Sequence, residues 1–362
     1  MKKIKALALL ACSVAAMSVT TSCSDDDTTT NNWTTYQDAV DAQVKANKKN
    51  DKAILLVAFG STWQTAFDAF DQTKAQYEQE FGKDGYDIYL SFSSAICINR
   101  SAAGENTTPR NYYAPNFWLH AFGKAGYDEI LVQSLQVIPG EEFNRVINYI
   151  KDFANNYLGD LDDEYLSQVT LKLGSPLLTS AEGEGNDVDA VAEALRDYCQ
   201  EQVQEGDVIA FMGHGNPDNY DSYKANVRYT ELEEALQELY PKFYVGTVDM
   251  PDNYKNNVYD RMQEDGVTGG IVQLYPLMSI AGDHAHNDLA GDGPDYWDAE
   301  DEASEDNSWY EYFSHKGYTA EPNLTGLLSV PAVLDIWMRH THEAVNSEGL
   351  DDYYHSMFPA AE

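Results

Sequence analysis

Three apolar runs of strand length in this chain are each followed by a residue that can bind a metal or accept a proton. His214 stands between two glycines after the run DVIAFM, Asp249 follows YVGTV, and His284 follows GIVQLYPL within the segment AGDHAHND. Because ligands bind beyond the carboxyl ends of the strands in open α/β sheets, we expect these side chains at one sheet edge. Two imidazoles and one carboxylate form a suitable ligand set for a borderline divalent metal.

The elements that would position these side chains alternate between strand and helix from Trp33 onward. Residues 53–59 form an apolar run that leads through a Gly-Ser-Thr turn into a helical stretch, and similar runs follow at 88–92, 130–135 and 169–173. Continuous apolar strands that alternate with amphipathic helices predict parallel sheets covered on both faces.

The second half of the chain repeats the plan of the first. The turn FGST at 59–62 corresponds to MGHG at 212–215, and the segment at 126–133 corresponds to 266–273. We therefore predict an α/β fold of two similar Rossmann-like domains whose parallel sheets face each other across a cleft. Such clefts are preferred ligand sites.

The N-terminal residues predict export. A basic start precedes an apolar run too short to span a bilayer comfortably, and small residues then lead to Cys23, as in a relaxed bacterial lipobox. We predict an exported lipoprotein, periplasmic or displayed at the cell surface, anchored to the outer or inner membrane through a lipid on Cys23. The predicted segments are a signal peptide at 1–22, a polar tether and leading segment at 23–50, a first domain at 51–175, and a second domain at 176–362 with the metal site and a C-terminal helix.

The net charge limits the classes of partner that the protein is expected to bind. The formal net charge is -37, and removal of the three signal lysines makes it about -40, so nucleic acid is excluded as an expected partner. With Cys12 in the signal and Cys23 lipidated, Cys97 and Cys199 remain. We interpret both as small buried hydrophobes, with a disulfide between them as the alternative.

Several motifs resemble those of the anaerobic sirohydrochlorin cobaltochelatases of the CbiK type, within the class II tetrapyrrole chelatases. The matching segments occur in family order over about 240 residues, and the most specific is AGDHAHND. The resemblance implies two Rossmann-like domains that hold a tetrapyrrole, with the metal inserted from a floor lined by histidine. The segments are LLVAFGST, VQSLQVIPGEEF, GHGN, VGTVDMP and VQLYPLMSIAGDHAHNDLAGD.

The resemblance also assigns roles to individual residues. His214 and His284 match the metal-site imidazoles of the family, and Glu141 matches the first Glu of a PGEE motif that faces the cleft. Asp249 stands where the family usually has Glu, and Gln136 stands where many members have His. The implied catalytic residues are His214, Glu141 and His284, and the implied metal ligands are His214, Asp249 and His284.

These residue types suit metal insertion into a macrocycle. A neutral imidazole can accept a pyrrole proton or hold Co2+ with moderate strength, and Fe2+ or Ni2+ are alternatives. Carboxylates such as Asp249 and Glu141 compensate the charge of the cation. His286 is interpreted either as a further ligand or as a hydrogen-bond partner of one. The other histidines are interpreted as surface or satisfied core residues; they are His120, His315, His340, His342 and His355.

The function predicted from these motifs is insertion of Co2+ into a tetrapyrrole, sirohydrochlorin or a haem-like compound, during anaerobic cobalamin synthesis. No nucleotide is expected, and the oligomeric state stays open. Export separates the chain from sirohydrochlorin, which is made in the cytoplasm. Two alternatives therefore remain: an exported tetrapyrrole-binding or metal-binding lipoprotein, and an enzyme that removes metal from scavenged haem-like or corrinoid compounds.

Overall fold

The fold consists of two parallel sheets that are covered by helices. The computed structural model describes residues 30–179, 187–200, 204, 206–218, 221, 224–293, 296–298, 307–347 and 349–350. Its strands are β1 (Lys52–Ala58), β2 (Tyr86–Phe92), β3 (Glu129–Ser134), β4 (Thr170–Gly174), β5 (Val208–Gly213), β6 (Phe243–Thr247), β7 (Gly270–Leu277) and β8 (Tyr318–Pro322).

Both sheets have the same topology. The first has the order β2-β1-β3-β4 and the second β6-β5-β7-β8, and the neighbouring strands of each sheet pair in parallel. The first and third strands of each half are the interior strands of its sheet, so that β1 corresponds to β5 and β3 to β7. This repeated order is what an internal duplication predicts, and it confirms the two-sheet α/β fold.

Helices connect the strands and cover the sheets because their apolar faces need burial. The central strands are almost wholly buried, and β1 buries every residue from Ala53 to Ala58. The helices are α1 (Thr30–Asn47), α2 (Gln64–Phe81), α3 (Ala95–Ala103), α4 (Pro115–Ala125), α5 (Glu141–Ala154), α6 (Asp163–Leu166), α7 (Asp187–Gln200), α8 (Val227–Leu239), α9 (Lys255–Glu264), α10 (Trp309–His315) and α11 (Pro331–Asn346).

The C-terminal helix contacts elements of both halves of the chain. Sequence analysis placed it in the second domain, but α11 packs on the first sheet. The Thr341 hydroxyl donates to Oε1 of Gln133 on β3 at 2.7 Å and lies 3.1 Å from the Tyr77 hydroxyl on α2. The two halves therefore share packing, and one hydrophobic cluster contains residues of both sheets, including Leu56 and Phe211.

The leading segment also differs from a simple tether. Helix α1 buries Val40 and Val44, and Nε2 of Gln37 donates to the Phe117 carbonyl of α4 at 3.1 Å. This helix therefore packs on the first domain, ahead of its predicted start. The predicted signal peptide, Cys23 and the first part of the tether lie outside the described residues. Within the described part of the chain, no helix is both long and apolar enough to cross a membrane.

Candidate metal centre

His214 is placed by the turn that follows β5. The next residue, Gly215, has φ +78, a left-handed conformation that L side chains rarely adopt. A Cβ on Gly215 would also lie 2.7 Å from the backbone nitrogen of Met250. The turn thus requires glycine at this position, and it leaves about half of the His214 side chain accessible to solvent.

The nitrogens of His214 have different surroundings. Nδ1 lies 2.8 Å from the Gly215 carbonyl oxygen, which can only accept, so Nδ1 carries the proton in this arrangement. Nε2 then presents its lone pair. The Asp249 carboxylate approaches the same edge of the ring, with Oδ2 3.6 Å from Nδ1. In this ring orientation Asp249 lies beside the protonated nitrogen, and its predicted role as a direct metal ligand stays a prediction.

His284 lies beyond the end of β7, where the chain forms a π-helical turn at Ala285–Ala290. Such turns are rare and often occur at functional sites. Nδ1 of His284 lies 2.5 Å from Oδ2 of Asp288. A carboxylate that accepts from one imidazole nitrogen fixes the tautomer and leaves the other nitrogen free for a metal.

The structure brings the two predicted imidazoles together. The ring centres of His214 and His284 are 4.8 Å apart and the rings are nearly perpendicular, at 84°. The side chain of His284 is 41 % exposed, so both rings are open to incoming ligands. Among the described residues, no group of three or more His, Cys, Asp and Glu side chains is arranged to enclose a metal ion. The centre is therefore an open pair with neighbouring carboxylates.

The electrostatics of the two histidines differ. Loss of solvation lowers the pKa of His214, and the nearby His284 lowers it further, against the attraction of Asp249. Loss of solvation also acts to lower the pKa of His284, but the Asp288 carboxylate outweighs it and the net pKa is raised. The pair thus combines one imidazole that favours the neutral form with one that retains its proton more strongly.

Two adjacent carboxylates at the start of α5 have different surroundings. Oε1 of Glu141 lies 2.6 Å from Nη2 of Arg145, which forms an ion pair one helical turn away. Glu142 is farther from Arg145, at 3.7 Å, and accepts from the Ser93 hydroxyl at 3.4 Å. Burial raises the pKa of Glu142 above its usual value, although Arg145 opposes the shift. The raised pKa suits Glu142 to exchange a proton, whereas Glu141 is held in an ion pair.

A family model described as cobalt chelatase (CbiK) matches residues 52–346. The chain belongs to this cobalt chelatase family. Two curated relatives are each named sirohydrochlorin cobaltochelatase. The protein from Salmonella typhimurium is 27 % identical over 297 residues, covering 82 % of this chain and 97 % of its own. The protein from Nitratidesulfovibrio vulgaris is 28 % identical over 305 residues, covering 83 % and 92 %.

The fold of this cobalt chelatase family member is also similar to a solved structure. SirB from Bacillus subtilis with Fe3+ superposes with a TM-score of 0.52 at 16 % identity, covering 82 % of this chain and 97 % of that one. At this identity the likeness concerns the fold. It agrees with the two similar domains that the sequence predicts.

Gln136 and Glu142 are two further polar residues in the segment that contains the PGEE motif. Gln136 is buried; its Oε1 accepts from the Ser134 hydroxyl, while its Nε2 has no partner in the described structure. Sequence analysis did not select Glu142, although the internal repeat offered a signal. In that repeat, residues 138–142 correspond to residues 280–284 if a gap of two residues is allowed, and this aligns Glu142 with His284.

The remaining histidines of the described chain have structural contacts. His120 lies 2.6 Å from Asp160, His340 is 1 % exposed and lies 3.2 Å from Asp187, and His342 lies 3.0 Å from Glu80. His315 stacks on Trp297 with 4.2 Å between ring centres. These contacts agree with surface or core roles, while His355 lies outside the described residues. Cys97 and Cys199 are buried and free, so the disulfide alternative is wrong.

Proposed function

We propose that this chain inserts Co2+ into sirohydrochlorin, as a cobaltochelatase. The observation that carries the proposal is the imidazole pair, His214 and His284, at the carboxyl-end edge of the second sheet. Each ring uses Nδ1 for an oxygen and keeps Nε2 available. Family membership and the names of the two curated relatives support the same reaction.

The chemistry requires an exchange of one Co2+ for two protons of the macrocycle, without oxidation or reduction. Nε2 of His214 and Nε2 of His284 would receive the hydrated ion, since neutral imidazole binds cobalt with moderate strength. Asp249 beside His214 and Asp288 beside His284 would compensate the added charge. With two imidazole nitrogens as protein ligands, the ion would remain exchangeable and could pass to the four nitrogen atoms of the macrocycle.

Proton removal needs groups that can accept at neutral pH. His214 is suited once the ion has passed from its Nε2 to the macrocycle, because its lowered pKa favours the neutral base. Glu142 is suited because its raised pKa brings the carboxyl closer to the working range. The Glu141 carboxylate, paired with Arg145, would compensate the charge of the cation, which is the role that the sequence analysis gives it.

We further propose that the protein acts outside the cytoplasm, held by a lipid on Cys23. The basic start, the short apolar run and the small residues before Cys23 support this location. The macrocycle would then have to reach the protein after synthesis inside the cell. The location and the reaction are separate proposals and need separate tests.

The reaction is tested by incubating the mature protein with Co2+ and sirohydrochlorin, and separately with haem, while following the absorption bands of the free and metallated macrocycle. We expect many turnovers with Co2+ and sirohydrochlorin, above the rate without protein. The double variant His214→Ala, His284→Ala is the matched control and should equal the rate without protein. A spectral shift that stops at one macrocycle per protein would contradict an enzyme and identify a carrier.

A further inference from the structure

Contacts between the two halves lie directly beside the histidine pair. Trp63 follows the turn after β1 in the first half, and its indole Nε1 donates to Oδ1 of Asp283 at 2.6 Å. Asp283 immediately precedes His284. The indole also stacks on His286, with 3.6 Å between ring centres and 15° between planes. One side chain of the first half thus contacts residues on both sides of His284 in the AGDHAHND segment.

A second contact lies on the other side of the pair. Asn216, two residues after His214, accepts from the backbone N–H of Glu141 at 3.2 Å through Oδ1. Asn226 fixes Asn216, because its Oδ1 accepts from the Asn216 N–H at 2.9 Å and its Nδ2 donates to the Asn216 carbonyl at 2.7 Å. Each histidine turn is therefore attached to the first half through a near neighbour.

The Trp63 contact restrains an unusual segment. The turn at Ala285–Ala290 is π-helical, which is a rare backbone conformation. Contacts from outside the turn therefore help to maintain it. Among the described residues, the buried Nε2 of His286 has no hydrogen-bond partner, and the stack on Trp63 is a contact that orients the ring. Arg100 adds a weaker attraction, with Nη1 3.6 Å from Oδ2 of Asp283.

We propose that Trp63 is a positioning residue: its stack on His286 and its hydrogen bond to Asp283 hold the AGDHAHND segment against the first domain and set the place of His284 relative to His214. The catalytic consequence rests on the proposed cobalt insertion. A shift of about 1 Å in a reacting group can cost about a hundredfold in rate, so a loosened His284 should slow insertion.

Two substitutions separate the parts of this contact. Trp63→Phe keeps an aromatic ring for the stack but removes the N–H donor, and Trp63→Leu removes both. The chain offers a matched control in Trp297, which stacks on His315 with 4.2 Å between centres and 9° between planes. Trp297→Leu therefore removes a similar stack in which no residue of the AGDHAHND segment takes part.

The first measurement is hydrogen exchange of the peptide that spans residues 282–290, on the full mature protein. We expect faster exchange there in Trp63→Phe and still faster exchange in Trp63→Leu, whereas Trp297→Leu should match the wild type in this peptide. Unchanged exchange in both Trp63 variants would overturn the proposal. Because Trp63→Phe replaces one aromatic ring by another, it remains informative even where Trp63→Leu does not fold.

The second measurement combines the visible spectrum of Co2+ added alone with insertion kinetics. In Trp63→Phe we expect an altered cobalt spectrum and a kcat lowered about tenfold or more, with the KM for sirohydrochlorin within about twofold of wild type. A wild-type spectrum together with a wild-type kcat would contradict positioning. Should the wild type itself insert no cobalt, the proposed reaction fails while the exchange comparison still decides the role of Trp63.

Discussion

The imidazole rings of His214 and His284 lie 4.8 Å apart, centre to centre, at nearly right angles. They come from the turns after β5 and β7, which are adjacent parallel strands. Each ring donates from Nδ1, but His214 donates to a neutral backbone carbonyl and His284 to the Asp288 carboxylate. The two histidines therefore differ in their electrostatic surroundings.

Removal of either imidazole ring should weaken cobalt binding strongly and change the stability of the fold little. His214→Ala and His284→Ala are each expected to weaken Co2+ binding and to slow insertion about tenfold to a thousandfold, since each loses a ligand or a base. Both side chains are about half exposed, so the free energy of unfolding should change little. Titration with Co2+, insertion kinetics and denaturant unfolding measure these effects.

The control for the histidine variants is His342→Ala. This side chain is 43 % exposed and contacts Glu80 on α2, away from the pair, so its loss should leave insertion unchanged. His340 is unsuitable because it is buried beside Asp187. A histidine variant that retained full cobalt affinity and full rate would show that its ring has a structural role only.

Asp249 tests whether a carboxylate at this position acts on the metal. Asp249→Asn keeps the volume and removes the charge, so we expect weaker Co2+ binding and slower insertion. Asp249→Glu keeps the carboxylate and lengthens the side chain by one methylene, so it should preserve or improve binding. If Asp249→Asn matched the wild type in a Co2+ titration, the centre would reduce to the two histidines.

Substitution of Glu142 should change stability and activity in opposite directions. Burial raises its pKa in the folded protein, so the folded state binds this proton more tightly than the unfolded state. The stability that this group contributes is present below its unfolded pKa and is lost as the pH rises through its folded pKa. Glu142→Gln should therefore unfold at higher denaturant than wild type at pH 7.5, with a smaller difference near pH 4.5.

The same substitution should slow insertion about tenfold or more, because the amide cannot accept a proton. Glu141→Gln is the matched comparison, since that carboxylate is paired with Arg145. Glu141→Gln should lower the free energy of unfolding, and it should reduce the insertion rate less than Glu142→Gln does. An active Glu142→Gln enzyme, or a stability difference that grows at low pH, would refute this role.

Gly215 tests the turn that presents His214. In Gly215→Ala the methyl group would meet the Met250 backbone nitrogen at a positive φ, so we expect a loss of about 1–3 kcal/mol in unfolding free energy and weaker cobalt binding. Gly85 has a similar φ of +83 but open space around it. Gly85→Ala should lose about 1 kcal/mol and keep full cobalt affinity. Equal cobalt affinity in the two variants would argue against the role of the turn.

The location is tested at Cys23. The wild type expressed in its own type of cell should partition into detergent and incorporate a labelled fatty acid, whereas Cys23→Ala should not. Protease treatment of intact cells then distinguishes the cell surface from the periplasm. Recovery of unlabelled wild-type protein from the cytoplasm would remove the export proposal without affecting the insertion assay.

Much of the fold and of the centre is readable in the sequence because the signals are local. Apolar strands, helical segments and the repeat at 126–133 and 266–273 predict two sheets of one topology, and the comparison of β3 with β7 confirms it. The amino-acid sequence alone is enough to pair His214 with His284, because both follow strands whose carboxyl ends parallel pairing brings to one edge.

The tertiary structure decided what depends on contacts between distant segments. The packing of α11 on the first sheet follows from buried partners such as Gln133, which no local pattern in the helix identifies. The distinction between Glu141 and Glu142 likewise depends on Arg145 and on burial. The contact of Trp63 with Asp283 joins residues 220 positions apart, and only the docking of the two halves brings them within hydrogen-bonding distance.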